Sequence, residues 1–276
     1  MNADEYSNLG RVEREHWYYA GKRVLVRRWI ERAAGMSRES RLLDCGAGTG
    51  LFAASMREVC RVQALDDHAE SLAILRTRFA PEEIVEGSAT AIPLPADTID
   101  CVTALDVLEH IPDDRGAVAE IGRVLRPGGT VVVTVPALMS LWSDWDVALH
   151  HQRRYTAADL AALFGSDQWE ILHLNFTNVV VFPAVWLVRR WQRWRNRGTA
   201  SRMEDRMPPG WINRILQGIF VQLGLVRGVR FPFGVSLVLV ARKRINPSTA
   251  PQPPGGRPGP GGKARPRAGR RPAAAP

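Results

Sequence analysis

Apolar and polar positions alternate in two rhythms along residues 40 to 136. The runs RLLDC (41–45), RVQALD (61–66), EIVEG (83–87), TIDCVTAL (98–105) and GTVVVTV (129–135) are short and rich in branched aliphatics, the pattern of strands buried on both faces. Between them, AASMREV (53–59), AESLAILRTRF (69–79) and DRGAVAEIGRVL (114–125) repeat apolar residues at three- and four-residue intervals, the pattern of helices laid on a sheet. Strands separated by helices of this length predict an α/β fold: a doubly wound, mostly parallel sheet with right-handed crossovers.

The rhythm changes on either side. Residues 11 to about 34 read as one helix, with arginines interleaved among Trp17, Tyr18, Val24, Leu25 and Trp29. After 136 comes a polar and aromatic segment, LMSLWSDWDVALHHQRRY (138–155), then a helix at 156–164 and a strand near 169–176. Two further helical stretches precede a last strand, GVSLVLVARK (234–243), expected to run antiparallel. The chain therefore divides into an N-terminal helical segment (1–35), a main domain (36–245) with an inserted helical cap at about 177–228, and a tail (246–276). The tail has no aromatic or large aliphatic residue and is expected to be disordered.

Composition changes this picture little. At 45% hydrophobic and 24% charged residues, the 276-residue chain has ample material for a core. The net charge of +9 invites a nucleic-acid reading, but Arg257, Lys263, Arg265, Arg267, Arg270 and Arg271 place +6 of it in the tail, leaving a body of only +3. No sequence-specific nucleic-acid partner is expected. Three cysteines, Cys45, Cys60 and Cys101, lack metal-like spacing and read as buried free thiols in a reducing compartment. The polar, acidic start MNADEYSNLG is no signal peptide, and VVVFPAVWLV (179–188) is too short to span a bilayer. A cytoplasmic protein is expected.

The candidate chemistry begins at RLLDCGAGTG (41–50). A strand, a glycine turn and a helix bring backbone close to a ligand. Gly48-Thr49-Gly50-Leu51-Phe52-Ala53 fits a G-x-G-x-x-A dinucleotide fingerprint, with Asp66 closing the next strand where it meets a ribose. A tight turn without ligand is the plainer reading, and the absence of Gly-Lys-Ser/Thr excludes a P-loop. Asp44 precedes the first glycine, where an acid attracts an amine and repels a pyrophosphate. The full tract is D-x-G-x-G-x-G: Asp44, Gly46, Gly48, Gly50. EGSATAIPLP (86–95), LDVLEHIP (105–112) and VLRPGG (124–129) follow in order.

With these landmarks the sequence resembles the class I S-adenosylmethionine-dependent methyltransferases, especially the group acting on small molecules and lipids, over about residues 40 to 136. The resemblance implies a Rossmann-like sheet and S-adenosyl-L-methionine as cofactor. It places Gly46 to Gly50 under the methionine part, Asp44 near its amino group, Asp66 on the ribose hydroxyls and Asp67 beside the adenine. Ser88 and Ala89 stand where the family commonly has an acid and a small residue near the adenine amine; serine is a departure that adds no charge. Leu105 and Asp106 would line the methyl-donor side.

The acceptor is less legible. LDVLEH stands where enzymes methylating exocyclic base amines resemble one another in a D/N-P-P-Y/F tract, and no Pro-Cys pair exists for cytosine carbon. The segment after the fifth long run offers Trp142, Asp146, Arg153, Arg154 and Tyr155 as substrate contacts, and it resembles one branch of the group that also carries an EHWYYAGKR-like stretch, here at 15–23. His151 is the first candidate general base, with His150 and His110 behind it; packing roles for the histidines are equally open. No metal is expected, because the spacing of Asp146 and the histidines is not diagnostic. Arg153 and Arg154 are either an anion clamp or solvated. Asp159 reads as helix capping.

In AVWLVRRWQRWRNR (184–197), Ala184, Leu187, Trp191 and Trp194 form a stripe with Arg189, Arg190, Arg193 and Arg197 mostly off it. WINRILQGIFVQLGLV (211–226) is a second amphipathic stretch. Both read as a cap over the sheet and pocket or as helices on an anionic membrane surface in a peripheral enzyme, and the two readings are compatible. Three functions follow: a methyltransferase with a small-molecule or lipid-linked acceptor, a NAD-dependent oxidoreductase, or a non-catalytic adaptor acting through its basic tail.

Overall fold

The computed structural model describes residues 12–165, 167–194 and 207–245. Seven strands, β1 (Arg41–Cys45), β2 (Arg61–Asp66), β3 (Ile84–Glu86), β4 (Ile99–Leu105), β5 (Leu125–Pro136), β6 (Trp169–Thr177) and β7 (Ser236–Lys243), form one sheet in the order β3-β2-β1-β4-β5-β7-β6. The first five pair in parallel, and β7 runs antiparallel to both β5 and β6. The expected architecture is therefore present, including its antiparallel last strand.

Side chains of successive strand residues leave opposite faces of the sheet, and both faces are packed. Leu43, Leu65, Val102, Val131, Val133 and Leu239 serve one core, and Leu42, Val62, Ala64, Cys101, Val132 and Val238 serve the other. Burial of each larger aliphatic contributes roughly 1.5–3 kcal/mol relative to exposure. All three cysteines are free and buried, as their apolar surroundings imply.

On the first face lie α4 (Asp114–Val124) and α6 (Ala157–Leu163). Ala117, Val118, Ile121 and Val124 give α4 its buried stripe, and the Asp113 carboxylate caps it by accepting from the Gly116 N–H at 2.9 Å. In α6, Thr156 and Asp159 form a capping box, so Asp159 has the helix role expected of it. The second face carries α2 (Leu51–Met56) and α3 (Ala69–Arg78) over β1–β3.

Over the other half of that second face lies α1 (Trp17–Ala33); residues 12–15 before it are helical too, and the helix expected over 11–34 is broken at His16, whose extended backbone caps α1. Leu25, Val26, Trp29 and Ile30 are its buried stripe, and Trp29 donates through Nε1 to the Gly224 carbonyl at 3.0 Å. Gly224 ends α8 (Gly210–Gly224), the second helix of the insertion. It packs with α1 and the sheet through Phe220 and Val221. α7 (Phe182–Trp194) stands instead beside the short turn Met139–Leu141 that follows β5, with Phe182 stacked on Phe233 at 4.8 Å. The insertion thus divides its work between a sheet face and the ligand edge. Between α7 and α8, Arg197 lies outside the described residues, as does the tail 246–276.

Candidate active site

The carboxyl ends of β1, β2 and β4 share one edge, where strand order reverses between β1 and β4 and an open α/β sheet leaves a crevice. From Cys45 the chain turns through Gly46, Gly48 and Gly50, with φ of +70°, +54° and +72°. This left-handed backbone costs a residue with a side chain roughly 1–2 kcal/mol. At Gly48 nothing lies within 4 Å of where a Cβ would stand, so that backbone is open to a ligand.

Backbone hydrogen bonds fix the turn. Gly46 and Ala47 donate to the Leu65 carbonyl at 2.8 and 2.9 Å. The Gly48 N–H donates to Asp66 Oδ2 at 2.9 Å, and Asp66 Oδ1 accepts from the His68 N–H at 3.0 Å. Each Asp66 oxygen keeps a second lone pair, enough to accept from a pair of ribose hydroxyls. Asp67 is exposed beside His68, whose Nδ1 lies 2.8 Å from its carboxylate. Ser88 Oγ is 3.0 Å from Thr90 Oγ1 and accepts from the Thr90 N–H at 3.3 Å, so part of its capacity is taken up in its own turn; Ala89 beside it is buried.

Asp44 is buried under this turn and accepts from Thr103 Oγ1 at 2.7 Å. Burial foremost, relieved in part by Thr103 and the Ala53 N–H and reinforced by Glu13 and Asp66, pushes its pKa up to about 7. Glu13 was not apparent as a site residue in the sequence. Its Oε2 accepts from Thr49 Oγ1 at 2.5 Å, leaning the segment before α1 onto the glycine turn. Three carboxylates therefore converge here with one hydroxyl and backbone donors.

Leu105 is half-buried at the end of β4, and Asp106 follows with φ of +55°. The Asp106 carboxylate is turned toward α1: it accepts from Lys22 Nζ at 2.5 Å, Tyr18 Oη at 3.3 Å and Thr134 Oγ1 at 2.9 Å. Burial acting alone would raise its pKa, but Lys22 outweighs it and holds the carboxyl below its ordinary range. Burial opposes the Lys22 charge, and the adjacent Asp106 overcomes it and raises that pKa. Burial and then Asp106 push the Tyr18 phenol up to about 12. Tyr18 and Lys22 stand four residues apart in the EHWYYAGKR stretch, one helical turn, so their shared face was legible although their partner was not.

Beyond β5, α5 (Asp144–Ala148) contains Asp146, which is fully buried. Its Oδ1 lies 2.9 Å from His151 Nδ1 and accepts from Arg154 Nε at 2.7 Å, while Oδ2 accepts from Arg154 Nη2 at 3.1 Å. Burial would raise the Asp146 pKa, but the hydrogen bonds from His151 and Arg154 prevail and take it far below the carboxylate range. Arg154 also donates to the Ala137 carbonyl at 3.1 Å, which corrects its expected role as an anion clamp: the guanidinium is committed inside the protein. Arg153 pairs with Asp114 at 2.5 Å and donates to the Pro112 carbonyl at 2.8 Å. Tyr155 is buried, its hydroxyl donating to Asp114 Oδ2 at 2.8 Å and placed 3.2 Å from the Leu108 carbonyl. These three residues position the loop. Trp142 is half-buried at the same edge.

The histidines separate into two kinds. His110 and His151 meet edge to face, with ring centroids 4.7 Å apart. Desolvation, then the neighbouring His151, lowers the His110 pKa to about 4. His150 is exposed with φ of +57° and does not join them. Beside the two rings lies Glu109, fully buried, with both carboxylate oxygens lacking a hydrogen-bond partner. Burial foremost, with Asp106 adding to it, raises the Glu109 pKa well above its ordinary value. Nothing in LDVLEHIP distinguished Glu109 from an exposed turn residue. With its Nδ1–H donated to Asp146, His151 presents the Nε2 lone pair as a base or a ligand.

Comparison with known proteins shows what this domain resembles. Residues 43–133 match a family described as a methyltransferase domain. Over 165 residues the chain is 32% identical to a "Probable S-adenosylmethionine-dependent methyltransferase" of Mycolicibacterium smegmatis, covering 59% of this chain and 62% of that protein. It is 36% identical over 111 residues to the ubiquinone biosynthesis O-methyltransferase of Sodalis glossinidius, covering 37% and 43%. The chain spans less than two thirds of the length of either relative. A chain solved in complex with the Haloferax volcanii Trm112 methyltransferase activator shares the fold with a TM-score of 0.57 at 16% identity, covering 88% of this chain and 95% of that one. The phosphoethanolamine N-methyltransferase 2 of Haemonchus contortus, solved with S-adenosyl-L-methionine, gives 0.51 at 16% identity, covering 79% and 51%.

Proposed function

We propose that this chain, which carries a class I S-adenosylmethionine-dependent methyltransferase domain, transfers a methyl group to an oxygen of a small or lipid-like acceptor. The observation that carries the reading is the surplus of negative charge at an open glycine turn. Asp44, Asp66 and Glu13 gather there, with Gly48 bare toward the crevice. A ligand with an ammonium and a sulfonium suits that charge, whereas the pyrophosphate of a dinucleotide would be repelled. The cofactor supplies an activated methyl on a cationic sulfur, so the protein has chiefly to align an acceptor and deal with its proton.

The chain's own residues divide that work. Asp66 accepts the ribose hydroxyls and Asp44 faces the methionine amine. Lys22 and Tyr18 fix the Asp106 carboxylate at the end of β4, where Leu105 and Asp106 line the donor side. His151, steered by Asp146, is where an acceptor proton is taken up. An oxygen acceptor is favoured because relatives include named O-methyltransferases of ubiquinone biosynthesis and of malonyl-[acyl-carrier protein].

A lipid-like acceptor agrees with the apolar surface of the insertion. Trp186, Leu187, Trp191 and Trp194 on α7 are exposed, and Trp211, Ile215 and Ile219 form an exposed row on α8. We extend the proposal to an anionic bilayer as the surface these residues meet, with Arg190 and Arg214 nearby. No helix among the described residues is long and apolar enough to cross a membrane.

Calorimetric titration with S-adenosylhomocysteine and separately with NADH tests the cofactor reading, followed by a screen of phenolic, carboxylic and lipid acceptors for methyl transfer. Binding of the first ligand alone is expected, and binding of NADH alone overturns the reading. Co-sedimentation with phosphatidylglycerol vesicles, but not phosphatidylcholine vesicles, is expected for the membrane extension.

A further inference from the structure

We propose that Glu109, His110 and His151 together form a binding site for one divalent transition-metal ion on the acceptor side of the crevice. Each of the three offers a ligand atom, and all of these atoms lie within 4.8 Å of one another. That brings two imidazoles and a carboxylate to one point, a donor set suited to zinc, cobalt, iron or manganese.

The second observation is independent of the clustering. Glu109 is 0% exposed, yet neither Oε1 nor Oε2 has a hydrogen-bond partner. A buried polar group left without a partner costs about 1–3 kcal/mol, and more when it is charged. Lys22 and Arg154 lie in the same region, but both are engaged elsewhere, on Asp106 and Asp146. A cation shared with the two imidazoles gives a Glu109 oxygen the partner it lacks and offsets the buried charge.

The surroundings are also those of a ligand set already held in place. His151 Nδ1 lies 2.9 Å from Asp146 Oδ1, the carboxylate–histidine arrangement that fixes a ligating ring with Nε2 outward. Two chain segments bring the ligands together, the turn Leu108–His110 and the loop from His151 to Tyr155. They are tied by bonds that do not depend on an ion: the Gln152 N–H to the Glu109 carbonyl at 2.7 Å, and the Tyr155 hydroxyl at 3.2 Å from the Leu108 carbonyl. Binding therefore requires little reorganisation of the backbone.

The inference deepens the proposed function and rests on it in one respect. A cation at this point stands beside the acceptor and stabilises the negative charge that develops as an acceptor hydroxyl loses its proton to solvent. The ion-bound His151 is then a ligand, and direct proton uptake at its Nε2 belongs to the ion-free protein.

The test uses tag-free full-length protein dialysed against chelator and titrated with Co2+, followed by visible absorption, and with Zn2+ by calorimetry. Saturation at one ion per chain is expected. Glu109→Gln and His151→Ala should each weaken it roughly 10- to 100-fold, and Asp146→Asn should weaken it about tenfold through the His151 ring. His110→Ala alters an exposed side chain, so its loss of affinity is readable even if a buried variant fails to fold. A titration that His110→Ala and Glu109→Gln leave unchanged, or no saturable binding by the parent chain, overturns the site. S-adenosylhomocysteine binding measured on the same samples separates this inference from the cofactor reading: it should persist in every variant.

Discussion

Two buried carboxylates on this edge meet opposite fates. Asp146 has an imidazole and a guanidinium within hydrogen-bonding distance, and its proton is bound far more weakly than in water. Asp44 has a hydroxyl, a backbone N–H and two other acids around it, and its pKa climbs to about 7. One is satisfied by the protein itself and serves the fold; the other lacks a positive neighbour of its own and suits a cationic ligand. Burial of an acid alone therefore does not mark a ligand site. The identity of the counter-charge does, and the comparison separates positioning residues from binding residues along a single sheet edge.

The strongest way to break the contrast is at its satisfied end. Asp146→Ala leaves the nearly buried Arg154 without its partner, so urea denaturation should register a loss of about 3–5 kcal/mol. Stability unchanged within 1 kcal/mol would mean that the pair is solvent-relaxed and the contrast false. Next comes Asp66→Ala, which removes the expected acceptor of two hydroxyls and the partner of the Gly48 N–H. Calorimetry should show S-adenosylhomocysteine affinity falling about ten- to a hundredfold, the equivalent of roughly 1.5–3 kcal/mol.

The unsatisfied end can be sharpened with pH. Below about 7 the free protein holds a proton on Asp44, which a ligand ammonium must displace. Affinity for S-adenosylhomocysteine should thus rise roughly tenfold from pH 6 to pH 8 and then level, with Asp44→Asn flattening the curve. The sign for stability is opposite. Because the folded pKa lies above the unfolded value, the ligand-free protein should lose stability as pH climbs from about 4 to 7. A smaller effect is expected at the adenine: Ser88→Asp restores an acid that the resemblance implies there, and should improve ligand affinity about two- to fivefold.

The sheet and its two helical layers were legible because strand and helix leave different periods in a sequence, and residues 41–136 keep those periods cleanly. The glycine turn was legible because left-handed backbone restricts residue type. Pairings across long chain separations were not. Lys22 and Asp106 lie 84 positions apart and Thr49 and Glu13 lie 36 apart; a sequence displays such charges without their distances. Glu109 was hidden for a related reason, since its importance lies in the partners it lacks. Asp146 and His151 were named for their residue types, and only the folded loop shows that Arg154 joins them rather than the substrate.

The ion pair between Lys22 and Asp106 has a bearing on where this protein can be cut. Asp106 closes a strand inside the matched methyltransferase segment, while its counter-charge comes from a helix that precedes that segment by more than a turn of sequence. A fragment trimmed to residues 36–245 would carry the acid and leave behind the lysine, together with the Trp29 stripe that covers part of one sheet face. Within the N-terminal helical segment, α1 is thus a structural member of the domain, and a graft of this domain onto another protein should keep Glu13 and the whole of α1.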